Sequence, residues 1–273
     1  MKRNVQSLLL NVILIVCSVV TILPFVWMLC SSFKTNVEIN ALAQTFFPQN
    51  PTTQNYVDVV QKFDFLHYFM NSLVYALAIT LISVYTSALT GFVLCKYKFR
   101  GRQAVFTLIL LTMMVPGVVT IIPRYSLMQG LGWLDSYKAL ILPSIFTPFG
   151  IFMMRQASYS IPTEMLEAAR IDGANEFYIF HRIAIPQLRN SIISISIFQF
   201  LWAWDDYLWP YLVIRSEKKQ LLSIGLNLFS GRFSTDYAGL FAATSIAIIP
   251  VVIFYVIFQK HFVDGVSSAS VKG

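Results

Sequence analysis

Residues that could perform acid–base, nucleophilic or metal chemistry are few in this chain and are scattered along it. The histidines and cysteines are isolated, without the spacing of a zinc site, a catalytic pair or a disulfide framework. They are His67, His181, His261, Cys17, Cys30 and Cys95. The sequence has no G-x-x-x-x-G-K-[ST] motif, so we expect that it neither binds nor hydrolyses ATP unaided. No catalytic residue, metal site or enzyme activity is therefore predicted.

A second group of residues combines aromatic rings with carboxylates, which suits stacking on sugar rings and hydrogen bonding to their hydroxyls. It comprises Trp204, Asp205, Asp206 and Tyr207, near the end of a long apolar segment. Together with Asn71, these residues are candidates for a transport pathway or an external gate, because polar groups within membrane spans usually face protein or water. The alternative is an aromatic belt at a membrane interface, with the acids in water.

The segment from Gln156 to Leu188 resembles neither a lipid-facing helix nor a random linker. Pro162 suits the first turn of a helix, and Glu164 and Glu167 place negative charge near the positive end of the helix dipole. We therefore predict a short helix that begins near Ile161.

Gly173 predicts the end of that helix or a sharp turn, because glycine tolerates positive φ. Residues Ala174 to Arg182 can form a second helix, which Pro186 is expected to end. Two short helices with a bend fit either an amphipathic loop on the bilayer surface or a docking surface for a partner protein.

The spacing Glu167-Ala-Ala, three residues, Gly173, nine residues, Ile183-x-Ile185-Pro186 resembles the EAA loop of binding-protein-dependent ABC importer permeases. Only Ile185 departs from that pattern, where leucine is usual, and the exchange preserves bulk and apolarity. Other runs are similar to the carbohydrate-uptake class of the maltose-permease type. They are Ile171-Asp-Gly-Ala174, Trp204-Asp-Asp-Tyr-Leu-Trp-Pro210, Phe262-Val-Asp-Gly265 and Val271-Lys-Gly273. Asp205 stands where asparagine is usual in that class.

This resemblance implies a coupling helix that docks into a cleft of a separate ATPase subunit. The candidate coupling residues are Glu167, Ala168, Ala169, Asp172, Gly173 and Pro186. Lys272 and Gly273 form a candidate C-terminal contact with the ATPase, and a frayed terminus is the alternative.

The same resemblance implies the partners. They are a second, homologous permease subunit in a heterodimer, ATPase subunits that hold ATP and Mg, an extracellular solute-binding protein and a carbohydrate substrate. No cofactor is expected in this chain itself.

The composition shows how these residues must be positioned. The 273 residues are 56% hydrophobic and 12% charged, whereas about a quarter of the residues are charged in an average soluble domain. We predict one all-α membrane domain over residues 1–273 with six transmembrane helices. The expected spans are about 8–30, 68–94, 104–122, 139–154, 191–214 and 240–258, with the coupling loop at about 156–188. Proline residues within spans predict kinks.

The basic residues predict the orientation. With both termini in the cytoplasm, the inner segments account for the whole net charge of +7, as the positive-inside rule requires. The basic run from Lys96 to Arg102 is interpreted as a topology anchor and not as a nucleic-acid site. We therefore expect a multi-pass protein of the prokaryotic plasma (inner) membrane, with the 156–188 loop in the cytoplasm.

Other transport and enzyme classes are less consistent with the sequence. An ABC importer permease for a non-sugar solute keeps the same loop and remains an alternative. An ion-coupled secondary transporter predicts inverted repeats, which the sequence does not show. An intramembrane enzyme requires paired catalytic groups within the spans.

Overall fold

The computed structural model describes residues 2–62, 64–229, 231 and 235–270. Over these residues the chain is built from helices joined by turns and loops, which confirms the predicted all-α class. The α-helices are α1 Lys2–Ser31, α2 Asn36–Ile39, α3 Gln54–Lys62, α4 Phe65–Lys96, α5 Arg102–Met113, α6 Ile121–Gly130, α7 Tyr137–Ile141, α8 Pro148–Ser158, α9 Thr163–Ile171, α10 Glu176–Tyr178, α11 Ile185–Gln187, α12 Arg189–Trp204, α13 Leu208–Val213, α14 Leu222–Gly225, α15 Tyr237–Ala247 and α16 Ile249–Ser270. Helices suit an apolar solvent because they satisfy their backbone hydrogen bonds internally.

Within the described residues, four helical stretches are long and apolar enough to cross a membrane. They are Leu9–Ser31, Phe65–Lys96, Tyr137–Ser158 and Tyr237–Gln259. A fifth crossing is possible if α5 and the segment Gly117–Gly130 act as one broken span, although they are bent by 99°. The chain is thus a multi-pass membrane protein, and the count of six spans stays a prediction.

The two expected spans that are not among these four stretches are interrupted in the structure. In the segment 104–122 the α-helix ends at Met113, and helical structure resumes at Gly117 after a turn at Pro116, which has no amide hydrogen and restricts the residue before it. The segment 191–214 is interrupted after Trp204, at two aspartates whose side chains compete for backbone hydrogen bonds.

The chain forms two compact units, of which the first comprises Met1–His67 and Gly225–Ile249. Its helix α15 packs against α1 and α3, and the rings of Trp27 and Phe241 meet edge to face at 5.3 Å. Asp236 caps α15 through the backbone N–H of Gly239 and also accepts from the side chain of Asn36 at 2.7 Å. The apolar surface of α1 is exposed in this chain.

The second unit comprises Tyr68–Ile224 and Pro250–Gly273. Helix α8 packs against α5 and α12, and α4 approaches α8 closely at Gly91. Thr147, which precedes α8, lies 3.3 Å from the hydroxyl of Ser87 in α4 and accepts a 3.0 Å hydrogen bond from Gln199 in α12. Phe200 of α12 stacks on Phe254 of α16 with ring centroids 4.4 Å apart.

We predict that Gly91→Ala destabilises the second unit. A Cβ atom at this position would lie 2.6 Å from the backbone nitrogen of Arg155, so the two helices would have to separate. Overpacking of this kind costs about 1–3 kcal/mol. Thermal unfolding of the purified protein should show a lower midpoint for Gly91→Ala than for the control Gly130→Ala, where no heavy atom lies within 4 Å of the new Cβ. Equal midpoints would contradict the prediction.

Candidate functional site

Helix α9 forms where the sequence predicts it. Pro162 is its N-cap residue in extended conformation, and the helix runs from Thr163 to Ile171. Leu166 is buried, whereas Glu167 and Ala168 are exposed. The helix therefore presents one face to the protein and offers its acid and small residues on the surface.

The end of α9 has the geometry of a Schellman motif. Gly173 has φ +85°, its N–H donates to the carbonyl of Arg170 at 3.0 Å, and the N–H of Ala174 donates to that of Ala169 at 2.9 Å. The side chain of Asn175 then accepts from the N–H of Tyr178 and caps α10. The predicted stop at Gly173 is thus a sharp reversal between two helical segments.

The second helical segment extends further than expected. Helix α10 continues into a π-helical stretch, Ile179–Ala184, and then into α11. Pro186 is expected to end this helix, but it lies inside α11, and α12 begins only two residues after α11 ends. A π-helical turn shifts the hydrogen-bond register from i−4 to i−5, and π turns occur frequently at functional sites.

An ion pair links the end of α9 to the start of α10. The guanidinium of Arg170 donates to both carboxylate oxygens of Glu176, at 2.8 and 3.3 Å, and the hydroxyl of Tyr97 donates to the same carboxylate. These hydrogen bonds, that from Arg170 first, lower the pKa of Glu176 below its ordinary value of 4.5. Glu176 is therefore ionised at neutral pH and keeps both partners.

A cleft of about 530 Å³ opens beside the turn at Gly173. Its wall combines small residues with polar and charged side chains. It is lined by Ala169, Asp172, Gly173, Ala174, Asn175, Tyr178, Arg182 and Ile183. The candidate coupling residues Asp172 and Gly173 thus share a concave surface, whereas Glu167 and Ala168 lie on the exposed face of α9.

Beneath the loop lies a continuous apolar core. Buried side chains from α4, α8 and α12 pack with those of the loop in one cluster. Its buried members are Val84, Ala88, Phe92, Met154, Ile161, Leu166, Ile179, Phe180, Ala184, Leu188 and Ile195. The loop is therefore an integral part of the helical unit and not a free linker.

The aromatic and acidic candidates take separate positions. Trp204 is buried and packs against Phe200 and Phe69. Asp206 is half-buried and accepts a 2.8 Å hydrogen bond from the hydroxyl of Tyr75, whereas Asp205 is exposed.

Asn71 and Tyr207 lie in different surroundings from Asp206. The amide of Asn71 donates to the carbonyls of Lys218 and Gln220, both at 3.0 Å. The ring of Tyr207 is exposed and stacks on Tyr211 with centroids 5.4 Å apart. In this structure Asn71 thus connects α4 to the 217–220 segment, and a pathway role for these residues stays a prediction.

The guanidinium of Arg124 lies over the ring of Trp209 at 4.1 Å. Tyr97 is an interacting residue that sequence reasoning does not identify. Tyr97 belongs to the run that was interpreted only by its charge. The sequence signal for Tyr97 is its position between two basic residues, Lys96 and Lys98, and a count of charges does not take the tyrosine into account.

A further unexpected cluster surrounds Asp135, whose φ of +57° is unusual for a residue other than glycine. Its carboxylate accepts from the backbone N–H groups of Arg215 and Ser216 at 3.1 and 2.9 Å, from the hydroxyl of Ser216, and from Lys219. The bond from the Ser216 side chain contributes most to lowering the pKa of Asp135 far below the usual range. Asp135 thus joins the loop before α7 to the loop after α13.

Two further points concern the predicted sites. Lys272 and Gly273 lie outside the described residues, so their contact with an ATPase stays a prediction. Among the described residues, no three His, Cys, Asp or Glu side chains form a group that could hold a metal ion.

The structure thus defines a multi-pass helical membrane protein with an exposed, glycine-terminated helix between α8 and α12. This chain belongs to the family of binding-protein-dependent transport system inner membrane components, which it matches over residues 87–268. The predicted family is confirmed, and the chain is a multi-pass permease of the plasma membrane.

Relatives share this assignment along almost the whole chain. The arabinooligosaccharides transport system permease protein AraQ of Bacillus subtilis strain 168 is 33% identical, over 99% of this chain and 97% of that protein. The sn-glycerol-3-phosphate transport system permease protein UgpE of Rhizobium meliloti strain 1021 is 30% identical, over 97% of each chain. A chain of a bacterial ABC transporter involved in the import of the acidic polysaccharide alginate has the same fold, with a TM-score of 0.86, 23% identity, and coverage of 96% of this chain and 98% of that one.

We predict that Gly173→Val disturbs the turn after α9 through the backbone alone. No heavy atom lies within 4 Å of a Cβ at this position, but the φ of +85° disfavours a β-branched residue. The left-handed conformation costs roughly 1–2 kcal/mol for ordinary residues, and asparagine tolerates it better. Hydrogen exchange of residues 163–187 should therefore increase more in Gly173→Val than in the control Gly173→Asn. The same exchange in both variants would contradict the backbone explanation.

Proposed function

We propose that this permease imports a sugar or oligosaccharide by alternating access, and that α9 couples its movement to ATP hydrolysis in a separate subunit. The observation that carries the proposal is the position of Glu167 and Ala168 on the exposed face of a helix whose opposite face is buried in the helical core. A partner that binds the exposed face can therefore move the whole unit.

The proposed docking surface has two parts. Glu167 and Ala168 provide a charged residue beside a small one, which permits close approach of a partner backbone. The cleft at Asp172 and Gly173 provides a concave surface beside the same helix. When ATP closes the ATPase dimer, the docked α9 moves with it, and the permease changes between inward-open and outward-open states. Pro186 contributes by its position in the helical segment that leads back to α12.

The proposed assembly contains a second, homologous permease and an extracellular solute-binding protein. It also contains either two copies of one ATPase subunit or a pair of ATPase subunits, which bind ATP and Mg. Lys272 and Gly273 are proposed as an additional contact with the ATPase. We propose six spans with both termini in the cytoplasm, because this topology places the basic residues, and α9 with them, on the side where ATP is available. No cofactor is proposed in this chain.

Carbohydrate is the proposed cargo because AraQ, a relative along nearly the whole chain, is a permease of arabinooligosaccharide transport. The aromatic and acidic residues from Trp204 to Tyr207 are compatible with sugar contact. A phosphorylated polyol is the second candidate, since UgpE belongs to an sn-glycerol-3-phosphate system.

We predict that Glu167→Lys weakens ATPase association, whereas Glu164→Lys does not. Both residues are exposed glutamates on α9, and both variants replace a negative charge with a positive one. Loss of a specific interface contact is expected to weaken copurification of the ATPase about tenfold or more and to abolish uptake. A loop that merely lies on the bilayer would respond equally to the two substitutions. Membrane insertion, measured as the yield of folded protein, should be unchanged in both.

We predict that the reconstituted complex takes up a neutral oligosaccharide when ATP is supplied and no ion gradient is present. Proteoliposomes would be assayed with arabinooligosaccharides, maltooligosaccharides and sn-glycerol-3-phosphate, with the matching binding proteins. Uptake of sn-glycerol-3-phosphate alone would overturn the sugar proposal and favour the second candidate. Uptake driven by an ion gradient without ATP would contradict both.

A further inference from the structure

Lys96, the last residue of α4, and Tyr97, which follows it, contact residues on either side of α9. The ammonium group of Lys96 donates a 2.5 Å hydrogen bond to the carbonyl of Ile161, two residues before α9 begins. The hydroxyl of Tyr97 donates to the carboxylate of Glu176, which lies just after the turn that ends α9. These contacts join residues that are 65 and 79 positions apart in the sequence.

We propose that Lys96 and Tyr97 are positioning residues that attach both ends of the coupling helix to α4, so that movement of docked α9 is transmitted to this membrane helix. The inference rests on the proposed coupling role of α9. It adds the path by which force leaves that helix, and it assigns a function to a basic run that otherwise explains only topology.

Two points of attachment have a mechanical consequence that one would not have. Helix α9 has nine residues, and a rise of 1.5 Å per residue makes it about 13 Å long. A helix held at one end can pivot about that contact when its partner pulls on the exposed face. A helix held at both ends cannot pivot without breaking a hydrogen bond, so it moves together with α4.

The attachment at Tyr97 is supported from two sides. Arg170 holds the Glu176 carboxylate with two hydrogen bonds and lies 5.8 Å from the centre of the Tyr97 ring. The Tyr97 ring also meets the ring of buried Phe92 edge to face at 5.9 Å. Phe92 in turn contacts Phe180 beyond the turn, with centroids 5.5 Å apart. The polar contact is therefore fixed in direction by apolar packing beneath it.

The end of α4 is itself held by arginine side chains. Arg155 of α8 donates to the carbonyl of Leu94 at 3.3 Å, and Arg102 donates to the carbonyls of Cys95 and Tyr97 at 3.4 and 3.3 Å. The last carbonyls of a helix otherwise have no intrahelical donor, so these bonds stop the end of α4 from fraying. Helix α4 can be moved by α9 only if the end of α4 keeps its helical structure.

The test uses the complete importer in proteoliposomes and measures both ATP hydrolysis and transport. Tyr97→Phe keeps the ring on Phe92 and removes only the hydroxyl, and Lys96→Met removes the donor to Ile161. In both variants the ATPase should copurify as with the native chain and hydrolyse ATP at a rate within about twofold. Transport per ATP hydrolysed should fall about tenfold, the factor expected for one lost hydrogen bond to a charged group. Lys96→Arg keeps a donor and should restore coupling.

The control is Tyr159→Phe, which removes a hydroxyl from an exposed tyrosine at the end of α8 and should leave the ratio unchanged. Hydrogen exchange of residues 163–171 should increase in Tyr97→Phe and not in the control. Unchanged transport per ATP in both Tyr97→Phe and Lys96→Met would overturn the attachment while leaving the coupling role of α9 intact. Failure of the native chain to bind an ATPase would instead overturn the proposed function, and this inference with it.

Discussion

Buried side chains of α4, α8 and α12 continue as one packed cluster into the loop that contains α9. Packed protein interiors have few voids and resist deformation, so a displacement at one part of the cluster is felt throughout it. Leu166, Ile179 and Phe180 connect the loop to Phe92 of α4 and to Met154 of α8. The proposed docking role of α9 depends on this continuity, because an exposed helix face that binds a partner can transmit force only if its other face is fixed.

Polar side chains fix the connections that the apolar core cannot specify. Asn71 binds the carbonyls of Lys218 and Gln220, and Asp135 binds two backbone N–H groups near Arg215. Buried or half-buried polar groups are costly unless they are paired, so each of these contacts selects one arrangement of the segments that it joins. Polar residues beside membrane helices therefore need not face a substrate.

Local structure was largely predictable where the determining interactions are local. Pro162 and Gly173 define the two ends of α9 through rules that involve a few neighbouring residues, and the structure has the helix between them. The break at Pro116 was expected only as a kink, and the passage of the helix through Pro186 was not expected. Both depend on which backbone groups find other partners, and packing around the chain decides that.

The sequence by itself determined that the chain is a membrane protein, that it is helical, and to which family it belongs. The lengths of the apolar runs, the distribution of basic residues and the spacing from Glu167 to Pro186 are all properties of a linear chain. Only the tertiary structure decided which groups hold α9 in place. Lys96 and Tyr97 meet Ile161 and Glu176 across 65 and 79 positions, and no local rule specifies such a pairing. The run from Lys96 to Arg102 can act as a topology anchor through its charge, and it can also attach α9 through the contacts of Lys96 and Tyr97. Charge depends on composition, whereas contacts depend on how the helices pack.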